Sequence, residues 1–213
     1  MATVADGYIL NWSSCSSQVR FHFTKERKIE RIKELVKEIG GEYNLIVDNV
    51  GKTHITLDHY VSEIITEMLN PLRFIQKDKK IPIEILKLKG EDLRDLVMEY
   101  LFWDGRYENY LKNKKNMVIS STNLHNINML QTMAMLGGFR TYLKNETCGK
   151  GSRNVCYGLV LYDEQEIVIP SIDTYGTKDY NGLVWCVNND NHTIFTRLNN
   201  RTAVLGNCGN TDL

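Results

Sequence analysis

In the first sixty residues, apolar side chains occur with two spacings, the alternation that is typical of strands and the spacing that is typical of helices. Apolar and polar side chains alternate in YILNW and QVRFHF, on either side of a serine-rich turn, which predicts a β-hairpin. Residues 25–39 place apolar side chains at helical spacing and are followed by Gly40-Gly41. EYNLIVDNVGKTHITLD predicts a second hairpin, with its turn at residues 48–51. The order strand, strand, helix, strand, strand indicates an α+β unit.

A similar order recurs further along the chain. A helix around residues 60–69 leads through KDKKIPIEIL to a second apolar helix, which ends on Asp104-Gly105. After a lysine-rich loop come the strand MVISS, the helix NLHNINMLQTMAMLGG and the strand FRTYLK. In each half an Asp-Gly pair, Asp6-Gly7 or Asp104-Gly105, precedes the strands and the helix. This recurrence predicts an internal duplication.

The pattern changes near residue 148. CGKGSRN is polar and rich in small residues, and the remaining apolar segments are all short and strand-like: YGLVLYD, EIVIP, GLVWCV, HTIFTR and RTAVLG. We therefore expect a domain boundary near residue 148, with an all-β segment beyond it.

Composition restricts the location and partners of the protein. The 213 residues suffice for one large domain or two small ones, and the 26 basic and 26 acidic residues balance, so any DNA contact must come from local patches. No apolar run approaches the roughly 18 residues that span a bilayer. We expect a cytoplasmic protein with no membrane partner. Five cysteines without CxxC spacing argue against a zinc knuckle and a disulfide framework, and leave room for a working thiol.

The C-terminal segment contains the residues for breaking and remaking a peptide bond. Asn207 can attack its own backbone carbonyl with its side-chain amide, and the thiol of Cys208 can accept an acyl group and pass it to its own amine. His192 can polarise the scissile carbonyl or carry the proton. Taken singly, each has an ordinary structural interpretation, and Cys186 in VWCV is typical of a buried small hydrophobe. Only the combination favours chain ligation.

These residues stand in GLVWCVNNDNHTIFTRLNNRTAVLGNC, which resembles the two C-terminal blocks of phage-like inteins, the protein-splicing elements with a Hint domain. The resemblance implies that Asn207 cyclises, that Cys208 is the first residue of the C-extein and that His192 assists cleavage. Cys186 stands where many inteins have Asp.

Two departures from that pattern affect the expected mechanism. Gly206 replaces the histidine that commonly precedes the terminal asparagine, so His192 would provide more of the assistance. Cys186 suits a variant in which this cysteine is the first nucleophile, but Leu205 stands where that class generally has Thr. The ordinary mechanism is therefore favoured.

The two Asp-Gly pairs suggest a different chemistry. Cutting a phosphodiester bond needs metal ions, and carboxylates are usual Mg²⁺ ligands. If Asp6 and Asp104 each end one of two packed helices, they converge and can share metals, and Lys80 in KKIP would add a positive charge. The alternative is two ordinary helix-ending turns, because Asp-Gly is common in turns.

The context MATVADGYI, KKIPIEILKLKGEDLRDLVMEYLFWDG and MLGGFR resembles the double-motif LAGLIDADG homing endonuclease that interrupts many inteins, over about residues 1–146. The resemblance implies catalytic, metal-binding Asp6 and Asp104 with Mg²⁺, an assisting Lys80, and double-stranded DNA laid across the sheets. Three basic residues placed on the strands are candidate DNA contacts, although such residues also occur on solvated faces: Arg20, His22 and Lys25.

The resemblance has one large gap. Only five residues precede Asp6, where the family has a full helix packed against its twin, and the N-terminal splicing blocks are missing as well. Thr53 and His54 are adjacent and lie inside the endonuclease region, so we do not assign them to those blocks.

Together these observations predict an α+β protein with three parts. A LAGLIDADG domain of two ββαββ-like repeats occupies residues 1–147, the all-β C-terminal half of a Hint domain occupies 148–207, and 208–213 are C-extein residues. The expected function is that of a split or truncated intein fragment in a bacterial or phage-infected cell. It would splice without a cofactor, together with an N-terminal intein fragment, and would carry a Mg²⁺-dependent endonuclease for double-stranded DNA. The alternative is a free-standing or degenerate LAGLIDADG endonuclease, or a DNA-binding remnant, without splicing activity.

Overall fold

A computed structural model describes residues 1–13, 16–69, 79–111, 114–147, 155–163, 179, 181–183 and 193–206. The first α+β unit has the elements α1 (Ala2–Ala5), β1 (Tyr8–Ser13), β2 (Ser16–Phe23), α2 (Glu26–Glu38), β3 (Tyr43–Val47), β4 (Thr53–Leu57) and α3 (His59–Leu69). A 3₁₀ turn (Ile83–Lys87) leads to the second unit, which has the elements α4 (Gly90–Asp104), β5 (Gly105–Leu111), β6 (Lys114–Ser121), α5 (Leu124–Leu136), β7 (Arg140–Thr147) and β8 (Val155–Tyr162). The described chain ends with β9 (Thr193–Leu198) and β10 (Arg201–Gly206).

The first unit has the predicted order and an antiparallel sheet, β1-β2-β4-β3. The alternation in β2 buries Val19, Phe21 and Phe23 on one face and leaves the polar residues between them on the other. The helical spacing in α2 turns an apolar stripe toward the same core: Ile29, Ile32 and Val36. One face of this sheet is therefore covered and the opposite face is open.

The second unit is built on a six-stranded sheet, β5-β6-β8-β7-β10-β9. Its core lies between the strands and the two helices α4 and α5, and is filled mainly by aliphatic side chains. The sequence predicted only a lysine-rich loop between α4 and the strand MVISS. The structure instead pairs β5 with β6 from Gly105↔Ile119 to Leu111↔Lys114. Few apolar residues mark GRYENYL, because this strand lies at the edge of the sheet.

The structure differs from the expected domain boundary near residue 148. Strand β8 lies between β6 and β7, and it pairs with β7 from Arg140↔Tyr162 to Thr147↔Val155. Leu159 and Leu161 are completely buried in the core of the second unit. Residues 155–162 therefore complete the second repeat. The polar composition of residues 148–154 was misleading, because hairpin connections and domain linkers use the same small, polar residues.

The last two strands extend the same sheet. Strands β9 and β10 form a hairpin, and β10 meets β7 at Arg201↔Tyr142, beside a hydrogen bond from Leu143 N to Asn200 O at 2.9 Å. In the described part of the chain, the C-terminal strands thus belong to the six-stranded sheet of the second unit. EIVIP and most of GLVWCV lie outside the described residues. Within the described ranges, no helix has the length and apolar character that a membrane crossing requires.

Candidate active site

Two helices of very different length bring the Asp-Gly pairs together. The single turn of α1 packs against α4, and Asp6 caps the first helix while Asp104 is the last residue of the second. Gly7 directly precedes β1, and Gly105 is the first residue of β5. A Cβ atom on Gly7 would lie 2.8 Å from Thr3 Cα, and one on Gly105 would lie 2.4 Å from Leu101 O. The glycines are therefore required because each strand begins in close contact with its own helix.

A buried lysine joins the two carboxylates. Lys28, the third residue of α2, is only 8% exposed, and its Nζ atom forms an ion pair with Asp6 Oδ2. The same Nζ atom lies 4.0 Å from Asp104 Oδ1. One ammonium group is thus shared between carboxylates at the C-terminal ends of two helices from different repeats. Lys28 is not among the residues predicted from the sequence.

A second lysine reaches the site from the segment between the repeats. Lys79 Nζ donates a hydrogen bond to the Gly7 carbonyl, next to Asp6. Burial lowers the pKa of Lys79, and the charges of Asp104 and Asp6 oppose that shift. The sequence pointed to the adjacent Lys80, whose side chain is exposed. The structure places Lys79 in the position that we had expected for Lys80.

Asp104 has an unfavourable electrostatic position. Burial, and then repulsion from Asp6, raise the pKa of the Asp104 carboxyl, while Lys28 and Lys79 act in the opposite direction. A divalent cation bound between two carboxylates whose charges are only partly compensated would reduce the repulsion between them. Raised pKa values of this origin are common in functional sites.

Asn126 holds the segment that carries Lys79. It is the third residue of α5, as Lys28 is of α2, and each follows the aspartate of its own repeat by the same interval (28 − 6 = 22 and 126 − 104 = 22). The buried Asn126 amide donates to Lys79 O at 2.7 Å and accepts from Ile81 N at 3.0 Å. Aligning the two predicted repeats on their Asp-Gly pairs would have shown this correspondence between Lys28 and Asn126.

The donor set fits a hard divalent cation. Asp6, Asp104 and the Gly7 carbonyl supply oxygen atoms, and Mg²⁺ typically takes one or two carboxylates while water and substrate phosphate complete its coordination. Among the described residues there is no cluster of three or more His, Cys, Asp or Glu side chains that could hold a metal ion alone. The site therefore suits a metal that is also held by a phosphate substrate.

The open face of the first sheet carries two of the three predicted DNA contacts. Arg20 and His22 lie on β2 and line a groove of about 750 Å³, together with residues of β3 and β4. Lys25 is not on a strand, because β2 ends at Phe23 and Lys25 caps the N-terminus of α2. Its charge lowers the pKa of Asp104, so it lies on the side of the aspartates.

The open face of the second sheet carries more cationic than acidic side chains, which was not predicted from the sequence; its carboxylate Glu108 pairs with Arg106 and Lys144. Four cationic side chains lie on this face: Arg106, Arg140, Lys144 and Arg201. The guanidinium of Arg140 stacks over the Tyr162 ring at 4.4 Å and that of Arg201 over the Tyr142 ring at 5.5 Å. The spacing of Arg140 and Lys144 in FRTYLK, two residues either side of Tyr142, was the available signal.

The predicted splicing residues lie outside the described ranges. These are Cys186, His192, Asn207 and Cys208, and their roles stay predictions. Strand β10 ends at Gly206, directly before Asn207.

Comparisons with known proteins bear on the fold. No family model matches the chain. A stretch of 194 residues is 24% identical to the ribonucleoside-diphosphate reductase subunit beta of Aquifex aeolicus (strain VF5); it covers 90% of this chain but only 26% of that protein's length. Mesophilic variants of the homing endonuclease I-DmoI are similar in structure, with a TM-score of 0.51 and 13% identity over 76% of this chain and 84% of theirs.

A single-residue variant of I-DmoI, in complex with its target DNA in the presence of 2 mM Mg, gives the same TM-score, identity and coverage. The mixed α and β fold predicted for the N-terminal part of the chain therefore resembles that of LAGLIDADG homing endonucleases.

Proposed function

We propose that this chain is a metal-dependent endonuclease that cuts double-stranded DNA at a specific site. The observation that carries the proposal is the convergence of Asp6 and Asp104 at the ends of α1 and α4, with Lys28 between them and Lys79 beside them. Two aspartates that cap packed helices need no lysine from a third helix and no partly buried ammonium beside them. Positive charge fixed beside metal-binding carboxylates does, however, stabilise a phosphate as it reacts.

The residues of this centre have different roles in phosphodiester hydrolysis. Water adds to phosphorus, one P–O ester bond breaks, and the leaving oxygen gains a proton. A divalent cation bound by Asp6 and Asp104 would supply charge neutralisation at the phosphate. Lys28 holds the two carboxylates in place when no cation is bound, and Lys79 keeps a proton at Nζ whose release is favoured by burial.

The two open sheet faces provide the surface for the DNA. A two-stranded β-ribbon fits the major groove, where each base pair has a distinct pattern of donors and acceptors. Arg20 and His22 on the first sheet, and the four cations on the second, are suited to phosphate and base contacts. Similarity to a protein solved with its target DNA supports the same substrate class.

Cleavage of a random plasmid library tests the proposal. Supercoiled plasmids with random inserts are incubated with the full chain and Mg²⁺, and linear products are isolated and sequenced. We expect a defined set of inserts to be linearised by the wild type, and none by Asp6→Asn or after chelation of Mg²⁺. Linear products of unrelated sequence, or equal yields from wild type and variant, would contradict the proposal.

A second candidate function is protein splicing. It is supported by the intein-like order of His192, Asn207 and Cys208, and by the match to about a quarter of a reductase subunit. A nuclease-like segment within a longer protein with a different named activity is what an inserted element would produce. In this function the Asn207 side-chain nitrogen attacks its own carbonyl carbon, a succinimide forms, and the bond to Cys208 breaks to release its amine.

Mass spectrometry tests this second function on the chain alone. Cyclisation of Asn207 should release a fragment of residues 208–213 and leave a product that ends in succinimide. The Asn207→Ala variant should keep its full mass. Intact wild-type protein after prolonged incubation, or equal release from the variant, would argue against asparagine cyclisation.

A further inference from the structure

Two histidines face each other at the centre of the open face of the first sheet. His22 on β2 and His54 on β4 are direct cross-strand partners, and their rings meet edge to face with centroids 4.3 Å apart. Both lie on the face opposite the buried Phe21 and Ile55. The pair therefore belongs to the groove that we assign to DNA.

The hairpin turn between β3 and β4 fixes the orientation of His54. Asp48 Oδ1 accepts hydrogen bonds from the backbone N–H groups of Val50 and Lys52, and Oδ2 lies 3.0 Å from His54 Nε2. The bond from His54 lowers the pKa of Asp48, which keeps the carboxylate ionised. An ionised carboxylate can only accept, so His54 Nε2 carries the hydrogen and the ring position is set from the turn.

His22 is held from the other side by a partner that suits both of its protonation states. The Tyr8 hydroxyl lies 3.0 Å from His22 Nε2, and the two rings are in an edge contact at 4.9 Å. A hydroxyl donates to a neutral imidazole nitrogen and accepts from a protonated one. The contact with Tyr8 therefore survives when His22 gains a proton.

The charges around His22 are mostly positive. Burial lowers its pKa, and the charges of His54, Lys52 and Arg20 lower it further, while Asp48 alone raises it. These groups come from β2, from β4 and from the turn before β4. DNA on this face would add phosphate charges, which favour the protonated form.

We propose that His22 takes up a proton when DNA binds the first sheet, and that His54 and Asp48 position its ring for that contact. The inference rests on the proposed function as a DNA-binding enzyme. The direction of the pH dependence of DNA affinity follows from linkage, because proton uptake on binding means that the pKa of His22 is higher in the complex than in the free protein. Affinity is therefore greatest below the pKa of the free protein and is lost as pH rises through the pKa of the complex.

Binding is measured by titration of the full chain against a duplex recovered by binding selection from a random library, without divalent metal so that no cutting occurs. We expect affinity to fall with rising pH by up to about tenfold per pH unit, the limit for one linked proton. His22→Asn should reduce this dependence to under about twofold per unit. His54→Asn and Asp48→Asn should weaken it. His125→Asn, which changes an exposed histidine on α5 of the second unit, outside this groove, should leave it unchanged.

A second readout does not depend on any variant. The imidazole resonances of wild-type His22 give its pKa by NMR titration, and addition of the duplex should raise that pKa. An unchanged pKa in the complex, or equal pH dependence in wild type and His22→Asn, overturns the inference while leaving DNA binding in place. Absence of binding at every pH overturns the proposed function as well, so the two failures are distinguishable.

Discussion

At the scale of single residues, the aspartates could be located from sequence but their surroundings could not. The structure brings Asp6 and Asp104 together, as the repeated Asp-Gly pairs led us to expect, and it places Lys79, rather than the predicted Lys80, beside Gly7. Nothing in KKIP distinguishes two neighbouring lysines. The distinction comes from Asn126, whose amide holds the Lys79 carbonyl across 47 residues of chain.

The raised pKa of Asp104 predicts a conflict between stability and function. A carboxyl with a raised pKa in the folded state contributes stability at acid pH that is lost as pH rises through that pKa. Asp104→Asn should therefore gain stability relative to wild type as pH rises from acid to neutral. Without metal, we expect a melting temperature at neutral pH up to about 3 °C above that of wild type, the effect of roughly 1 kcal/mol in a domain of this size.

Scanning calorimetry at several pH values checks this expectation. Asp95→Asn, on the exposed side of the same helix, is the matched control and should show no such trend. A neutral-pH melting temperature below that of wild type would contradict the electrostatic description of Asp104.

The adjacent lysines offer a sharp comparison. Lys79→Met removes the ammonium beside Gly7 and should reduce DNA cutting by at least about a hundredfold, as loss of one positioned charge-stabilising group does in other enzymes. Lys80→Met changes an exposed side chain and should cut within about twofold of wild type. Cutting rates at saturating Mg²⁺ on a substrate from the library provide the measurement. The reverse order would return Lys80 to the role first expected for it.

At the scale of elements, a strong periodicity of apolar residues was sufficient to locate a helix or strand from the sequence, and a weak periodicity was not. The two hairpins of the first unit and α2, α4 and α5 occur where their patterns predict them. Strand β5 was missed because an edge strand has few apolar residues. Strand β8 was predicted but was placed in a separate domain, because its pairing with β6 is a long-range contact that composition does not reveal.

Two substitutions in β8, one at a buried position and one at an exposed position, test whether this strand belongs to the core of the second unit. Leu159 is fully buried, so Leu159→Ala should lower the free energy of unfolding of the whole endonuclease-like unit by about 2–5 kcal/mol. Val155, in the same strand, is 57% exposed, and Val155→Ala should change that free energy by less than about 0.5 kcal/mol.

Urea unfolding followed by the fluorescence of Trp103, which is buried in the core of the first unit, reports on these variants. If Leu159→Ala unfolds only a separate C-terminal segment and leaves the Trp103 transition unchanged, the boundary first expected near residue 148 is restored.

At the scale of the whole molecule, zero net charge conceals local patterns. Equal numbers of acidic and basic residues exclude a global attraction to DNA, but alternation along the strands places Arg20 and two histidines on the open face of the first sheet and four cations on that of the second. The two repeats thus present two similar surfaces on either side of a shared pair of aspartates. This arrangement suits a duplex that is contacted in two halves and cut between them.

The central claim is that Asp6 and Asp104 form one metal-dependent centre. Residues that act as a unit give losses that do not add, so the most direct measurement is the Mg²⁺-dependent cutting rate of Asp6→Asn, Asp104→Asn and the double variant on one selected substrate. We predict that either single change abolishes linearisation. The residual cutting rate of each single variant should lie within about tenfold of that of the double variant. Independent losses that multiply in the double variant, or cutting that persists in it, would contradict a shared centre.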